Sequence, residues 1–364
     1  MVGDGFMALF PKQIVRGVLL GAVAFYPGTV LAADAITLTL GGRIKEFFTV
    51  ADQDQAPGED LGAASMFNDV RLSAEGKTAL DNGISIRSYI RVFAVGRENV
   101  DVDEAYIDVV TTFGRVRIGE KAGINASTIG DPIPQAFLTV DDEIIGDGVK
   151  ARTAITLRDA FTFKRFTGNA LGVSYQSPEL FGIKVGVAYH PTPTPAVGPI
   201  DGRLGPHNAF DFTAGYEGDF DGGTYRLAGG YFHLAPRTPG LGPIVRDGVE
   251  AWNMSAGATY GGWELGAAYM RVLPQNGLNE EDWTLGALYG IGPFQISADY
   301  RVASRRVSLL TTARERVDRA MLQGAYKLGP GISVGVGGFY ATQRDVVGTS
   351  WDSGGVLSGL KIGF

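Results

Sequence analysis

The sequence has no cysteine, which rules out both a disulfide framework and a thiolate metal site. Histidine is almost as scarce. His190, His207 and His233 are the only three, and none has a second histidine at metal-ligand spacing. With a formal net charge of -7 and scattered positive residues, the chain lacks the footprint of a nucleic-acid binder. No Gly-x-Ser-x-Gly elbow is present, and the histidines lie in or beside loops, so no nucleophile has an evident base and an enzyme is not expected. Asp101, Asp103 and Glu104 do not form a recognised set of oxygen ligands, and no metal or cofactor is expected. Beyond residue 35 there is no apolar run of the ~20 residues a spanning helix needs.

What is abundant is glycine. The 364 residues include 53, spread along the chain without a Gly-X-Y period, which excludes a helical protein and collagen alike. Lys12 and Arg16 precede an apolar stretch from Gly17 to Tyr26, and small residues follow at Ala32, Ala33 and Ala35. This is the layout of an export signal, so residues 1–35 are expected to be cleaved and residues 36–364 to form one domain. Met7 offers a second start, and cleavage after Ala32, Ala33 or Ala35 fits equally.

Most of the remaining chain alternates with period two. Leu38, Leu40 and Ile44 share one face, while Thr37, Thr39, Arg43 and Lys45 share the other. Val70, Leu72 and Ala74 oppose Arg71, Ser73, Glu75 and Lys77. Asp81-Asn82-Gly83 then signals a hairpin, with Ile84, Ile86, Ile90 and Val92 set against Arg87, Tyr89 and Arg91 on the return. Val116 and Ile118 oppose Arg115, Arg117 and Lys121. About 16 such segments run to Phe364, joined by connections that alternate between short Gly- and Pro-containing turns and long loops. The long set includes Asp52 to Phe67, Ala122 to Gly168 and His190 to Asn208. A soluble sandwich has no reason to sort loop length to one end, whereas a membrane-spanning barrel does. Tyr216, Tyr225, Tyr260, Trp263, Tyr289, Phe294 and Tyr326 flank the short turns. Tyr189, Tyr231, Tyr269, Tyr300 and Tyr340 lie nearer the long loops, as two interfacial belts require. The expected fold is all-β: a transmembrane antiparallel up-and-down β-barrel with lipid against the apolar face and water against the charged one.

Three stretches resemble the general porins of Gram-negative bacteria. The first runs from Glu104-Ala105-Tyr106-Ile107-Asp108 through Phe113-Gly114-Arg115-Val116-Arg117-Ile118-Gly119. The second spans Asn169 to Tyr189, and the third is the last strand ending in Phe364, which is similar to the signal read by the barrel-assembly machinery. The resemblance implies an outer-membrane homotrimer in contact with lipid. It also implies a third long loop folded inward, and a passive channel for ions and small hydrophilic solutes. Its constriction would set bases on one wall against acids of the loop, giving a transverse field. Candidate wall residues are Arg43, Arg71, Arg87, Arg91 and Arg117, with Lys45 and Lys77 on the same face; candidate loop acids are Asp131, Asp141, Asp142 and Glu143, with Asp147 beyond them. Lys150, Arg152, Arg158, Lys164 and Arg165 make that loop less than purely acidic, and weak selectivity leaning to cations is expected from the overall charge. The main rival is a substrate-specific channel with a lumen site for a sugar, phosphate or organic acid. An adhesive barrel without a pore is a further rival. An energy-coupled transporter is disfavoured because nothing before the first strand reads as a plug.

Overall fold

The computed structural model describes residues 34–95, 101–124, 133–138, 148–155, 167–194, 201–237, 247–309 and 313–364. Sixteen strands account for most of them. In chain order they are β1 (Thr37–Gln53), β2 (Ala64–Ala79), β3 (Ser85–Val95), β4 (Asp101–Thr111) and β5 (Gly114–Glu120). Then come β6 (Leu171–Gln176), β7 (Ile183–His190), β8 (His207–Phe220), β9 (Gly223–Ala235), β10 (Val249–Tyr260) and β11 (Trp263–Pro274). The set is completed by β12 (Glu280–Ile291), β13 (Phe294–Arg306), β14 (Arg314–Gly329), β15 (Ile332–Arg344) and β16 (Ser350–Gly363). Every strand pairs antiparallel with its chain neighbour, and β16 pairs back onto β1, so the sheet is closed and has no free edge. Among the described residues no helix is long and apolar enough to cross a membrane. The crossing elements are strands, each satisfying its backbone groups through its neighbours.

Alternation decides which side chains face out. Leu72, Ile90, Ile107, Ile118, Leu265, Leu285, Leu322 and Val336 are exposed, and register partners such as Ile107 and Ile118 carry the same face from strand to strand. The aromatic residues expected at the two belts all fall on this outer face. At the short-turn end, Trp263 packs on Tyr289 with ring centroids 4.8 Å apart, and Phe294 on Tyr326 at 4.7 Å. At the other end Tyr269 packs on Trp283 at 4.3 Å and Tyr189 on Phe210 at 5.0 Å.

Some boundaries differ from those expected. The run from Gly218 to Gly223 reads as a turn after a strand ending at Tyr216, yet β8 continues through Gly218 to Phe220, because Phe220 stacks on Tyr260 of β10 and the ladder to β9 stays paired to Phe220↔Gly223. β2 starts at Ala64, inside the loop expected from Asp52 to Phe67, because its pairing with β1 continues to Val50↔Ala64. Residues 1–33, which carry the expected export signal, lie outside the described residues.

The inward face is not uniformly polar as expected. Phe47, Val317, Met321, Phe339 and Leu357 point inward from β1 and β14–β16, and with Phe137, Leu138, Val149 and Ile155 they form one buried apolar cluster. The latter four belong to the connection between β5 and β6, which covers surface that would otherwise face water.

Candidate functional site: the channel interior

The interior of β1–β5 carries two ladders of ion pairs. Arg43 donates to Asp69 at 2.8 Å, and Asp69 also receives Nε of Arg71 at 2.8 Å. Arg71 reaches on to Asp103 at 3.0 Å, and Arg91 donates to Asp103 and to Glu104, each at 2.6 Å. Lys121 closes on the same Glu104, and Asn169 donates to Asp103 at 2.9 Å. Arg87 binds Glu75 at 2.8 Å and lies 3.6 Å from Asp108, which Arg117 grips with both ends of its guanidinium. The five arginines proposed from sequence as the wall thus share one face, divided between two networks that meet at the Tyr106 ring, against which Arg87, Arg117 and Lys121 all lie.

A β-bulge explains why both Asp103 and Glu104 reach Arg91. The β3–β4 register jumps from Arg91↔Glu104 to Val92↔Val102, leaving Asp103 as the extra residue. In a regular strand neighbouring side chains point to opposite faces. Here both carboxylates are buried on the lumen side. Period-two reading left Asp69, Asp103, Glu104 and Asp108 out of the wall; their spacing beside arginines was the available signal for Asp69. These acids are occupied by arginines, and among the described residues no group of three or more His, Asp or Glu is arranged to hold a metal.

Further round the barrel, β13 and β14 carry a smaller network. Arg301 donates to Asp299 at 3.1 Å, with Arg319 at 3.7 Å from the same carboxylate. The β5–β6 connection docks on this side. Gln135 donates to Asp299 at 3.2 Å, the Ala136 amide to Ser297 at 2.8 Å and the Leu138 amide to Gln323 at 2.6 Å. Lys361 of β16 donates to the Phe137 carbonyl, and Gly335 of β15 leaves room for the Phe137 ring, since a Cβ there would lie 2.1 Å from it. The second described piece, residues 148–155, is tied at the long-loop end. The Lys150 amide donates to Gln53 at 2.9 Å, the Arg152 amide to Gln343 at 2.8 Å and the Ala154 amide to Glu315 at 2.8 Å. Hydrogen bonds from Arg152 and Lys150 hold the Glu59 carboxyl well below the usual carboxylate range. Asp131, Asp141, Asp142, Glu143 and Asp147 lie outside the described residues, as do Arg158, Lys164 and Arg165. Of the histidines, His190 is buried with Nδ1 3.1 Å from the Ala170 carbonyl, and His233 faces outward beside Glu250.

A closed barrel with an apolar exterior, two aromatic belts and a charged interior is the architecture of an outer-membrane channel. The family model for Gram-negative porins matches residues 19–346, and the chain belongs to that family. No curated protein matches the sequence. Several solved structures share its fold at low identity. OmpT of Vibrio cholerae lacking loop L8 is 14% identical, with a TM-score of 0.62 over 91% of this chain and 100% of that one. An anion-selective porin from Comamonas acidovorans is 13% identical, with a TM-score of 0.61 over 91% and 100%. The outer-membrane channel DcaP of Acinetobacter baumannii is 12% identical, with a TM-score of 0.64 over 91% and 98%. The protein is an outer-membrane porin.

Proposed function

We propose that the channel is a general one, through which ions and small hydrophilic solutes diffuse passively, and that its eyelet lies between the β1–β5 arginines and the β5–β6 connection. The ion pairs of Arg43 to Arg117 carry this reading, because they fix guanidinium groups on the wall of β1–β5 while the described part of the connection docks beside it, on β1 and β13–β16. In this reading Asp141, Asp142 and Glu143 face Arg71, Arg87 and Arg91, and the field across the gap favours polar solutes over apolar ones. Single-channel recording of the purified protein in planar bilayers tests it. Ohmic conductance without saturation is expected, rising when Phe137→Ala loosens the connection. Saturable flux, or block by one solute at micromolar concentration, would instead establish a substrate-specific channel.

The assembly follows from the outer face. Glu46 is exposed midway along β1, with Asn68 of β2 beside it on the same face, and a carboxylate facing hydrocarbon is costly. This supports a homotrimer with β1 and β2 at the protomer contact; a trimer form is recorded for OmpT of Vibrio cholerae. Export through a signal in residues 1–35 and recognition of Phe364 by the barrel-assembly machinery complete the proposal. Heat-modifiable gel migration reads barrel and trimer together.

A further inference from the structure

Three glycines of the lumen wall lie where side chains of the β5–β6 connection are buried. Gly186 of β7, Gly286 of β12 and Gly335 of β15 pair in register with the inward residues Thr213, Asp299 and Ala325. A Cβ at Gly186 would lie 2.5 Å from Ile124, and one at Gly286 would lie 2.4 Å from Ile133. With the Phe137 ring against Gly335, the same relationship occurs three times round the wall. Ordinary contact between carbon atoms is about 3.5–4.0 Å, so no side chain larger than hydrogen fits at any of the three. Ile124, Ile133 and Phe137 are each at most 4% exposed.

Glycine inside a strand gives up side-chain packing and backbone entropy, and it commonly marks a place where other atoms approach closely. Gly215 of β8 supplies the contrast. It lies two residues from Thr213 and so shares the inward face, yet the nearest atoms to its Cβ position are the Leu227 carbonyl at 3.8 Å and Ala228 at 4.0 Å. The hydrogen bonds to Ser297 and Gln323 hold the backbone near Phe137, but side-chain donors and acceptors turn about their own torsions and tolerate a shift. A bare Cα under a packed side chain does not. It fixes the distance sterically.

We propose that Gly186, Gly286 and Gly335 are positioning residues of the eyelet: sockets that seat Ile124, Ile133 and Phe137 and so set how far the connection projects into the water-filled path. This rests on the proposed passive channel with its eyelet at the connection. A methyl group placed in a socket has one direction in which to push. It points into the lumen, so the seated side chain must move about 1–1.5 Å away from the wall to regain ordinary contact, and the opening narrows. Close packing passes that shift on to the neighbouring backbone. Truncating the seated side chain does the reverse and lets the connection lie closer to the wall.

The test compares single-channel conductance of the folded full-length protein with that of its variants in planar bilayers. Recording near 1 M salt, where charges are screened within about 3 Å, isolates the steric effect. Gly186→Ala, Gly286→Ala and Gly335→Ala should each lower the conductance by roughly 10–30%, the cross-section that such a shift removes from a narrow opening. Gly215→Ala, the control on the same wall, should leave it unchanged. Rescue separates positioning from general damage to the barrel: Gly286→Ala with Ile133→Ala should return the conductance to the parent value or above it. Ile124→Ala and Ile133→Ala alone put no strain on the strands and should each raise the conductance, which keeps the proposal open to refutation even where a glycine variant does not insert. Socket variants that behave as Gly215→Ala does, a Gly286→Ala loss that Ile133→Ala leaves in place, or isoleucine truncations without effect would overturn it. A parent protein that does not conduct would overturn the channel reading itself, before any variant is compared.

Discussion

Arg117 and Asp108 face each other across β4 and β5 with two hydrogen bonds, of 2.6 and 2.8 Å, and the guanidinium lies 3.8 Å from the centre of the Tyr106 ring. Asp108 is almost wholly buried, at 1% exposure. Removing one partner of a buried pair leaves the other charge uncompensated, so Asp108→Ala should cost about 3 kcal/mol or more. Removing both as Arg117→Met with Asp108→Leu should restore most of that loss, because two charges then no longer need desolvation. Urea unfolding in phospholipid vesicles measures both. Equal losses for the single and double variants would show that the pair itself, rather than the orphaned charge, supplies the stability.

Gly42 and Phe364 close the barrel. Each donates its amide to the other's carbonyl, at 2.9 and 3.1 Å, and the Phe364 ring covers the bare Cα of Gly42. A Cβ at 42 would meet that ring at 2.7 Å and the Arg71 carbonyl at 2.9 Å. Gly42→Val should therefore destabilise by about 1–3 kcal/mol, the usual range for overpacking. Phe364→Ala in the same chain should recover part of it, since the ring clash vanishes while the clash with the Arg71 backbone remains. The folded fraction after refolding of the purified chains in vitro, where no assembly machinery acts on Phe364, distinguishes these outcomes when read from heat-modifiable mobility; a fully folded Gly42→Val protein would refute the closure argument.

The strands were legible because a two-sided sheet between lipid and water writes its period into the sequence, as Val116-Arg117-Ile118 does in β5. Connection lengths carried the topology for the same reason: only one rim bears long loops. Two features were hidden. Alternation gives the face of Arg91 but not its partners, and the bulge at Asp103 reverses the face that alternation assigns. Phe339 and Leu357 read as ordinary strand residues, because their inward orientation is tolerable only with Phe137 and Leu138 against them. Such long-range cover has no local signature.

Glu59 fastens the β5–β6 connection to the β1–β2 loop through Lys150 and Arg152, whose guanidinium also lies 4.3 Å from the Trp351 ring. Its folded pKa is lowered, so the stability it supplies is fully present above the ordinary carboxylate range and lost as pH falls through the depressed value. The tie should accordingly hold at pH 5 and above, and release only in strong acid. Glu59→Gln imitates the released state at neutral pH. Hydrogen exchange of the amides in 148–155 should be faster in this variant than in the parent at pH 7, and the difference should shrink as the parent is acidified. Identical exchange at pH 7 would mean that Gln53, Glu315 and Gln343 hold the segment unaided.

Arg87 and Arg91 offer the most direct view of the interior as a field. Each is balanced by acids of its own wall, Glu75 and Asp108 for the first, Asp103 and Glu104 for the second. Replacing both with Gln removes two positive charges while the carboxylates remain, so permeability must move towards cations whatever the selectivity of the parent. For an ion about 8 Å away in a water-filled lumen, one charge is worth roughly 0.5 kcal/mol unscreened and about half that at 0.1 M salt; two charges act on cation and anion with opposite sign, so the cation-to-anion permeability ratio should change by about fivefold. Reversal potentials across a salt gradient near 0.1 M, where screening acts over about 10 Å, should show the shift; near 1 M, where it acts over about 3 Å, the shift should fade. An unchanged ratio at low salt would mean that these arginines do not line the permeation path, and a ratio moving towards anions would contradict the sign of the charge removed.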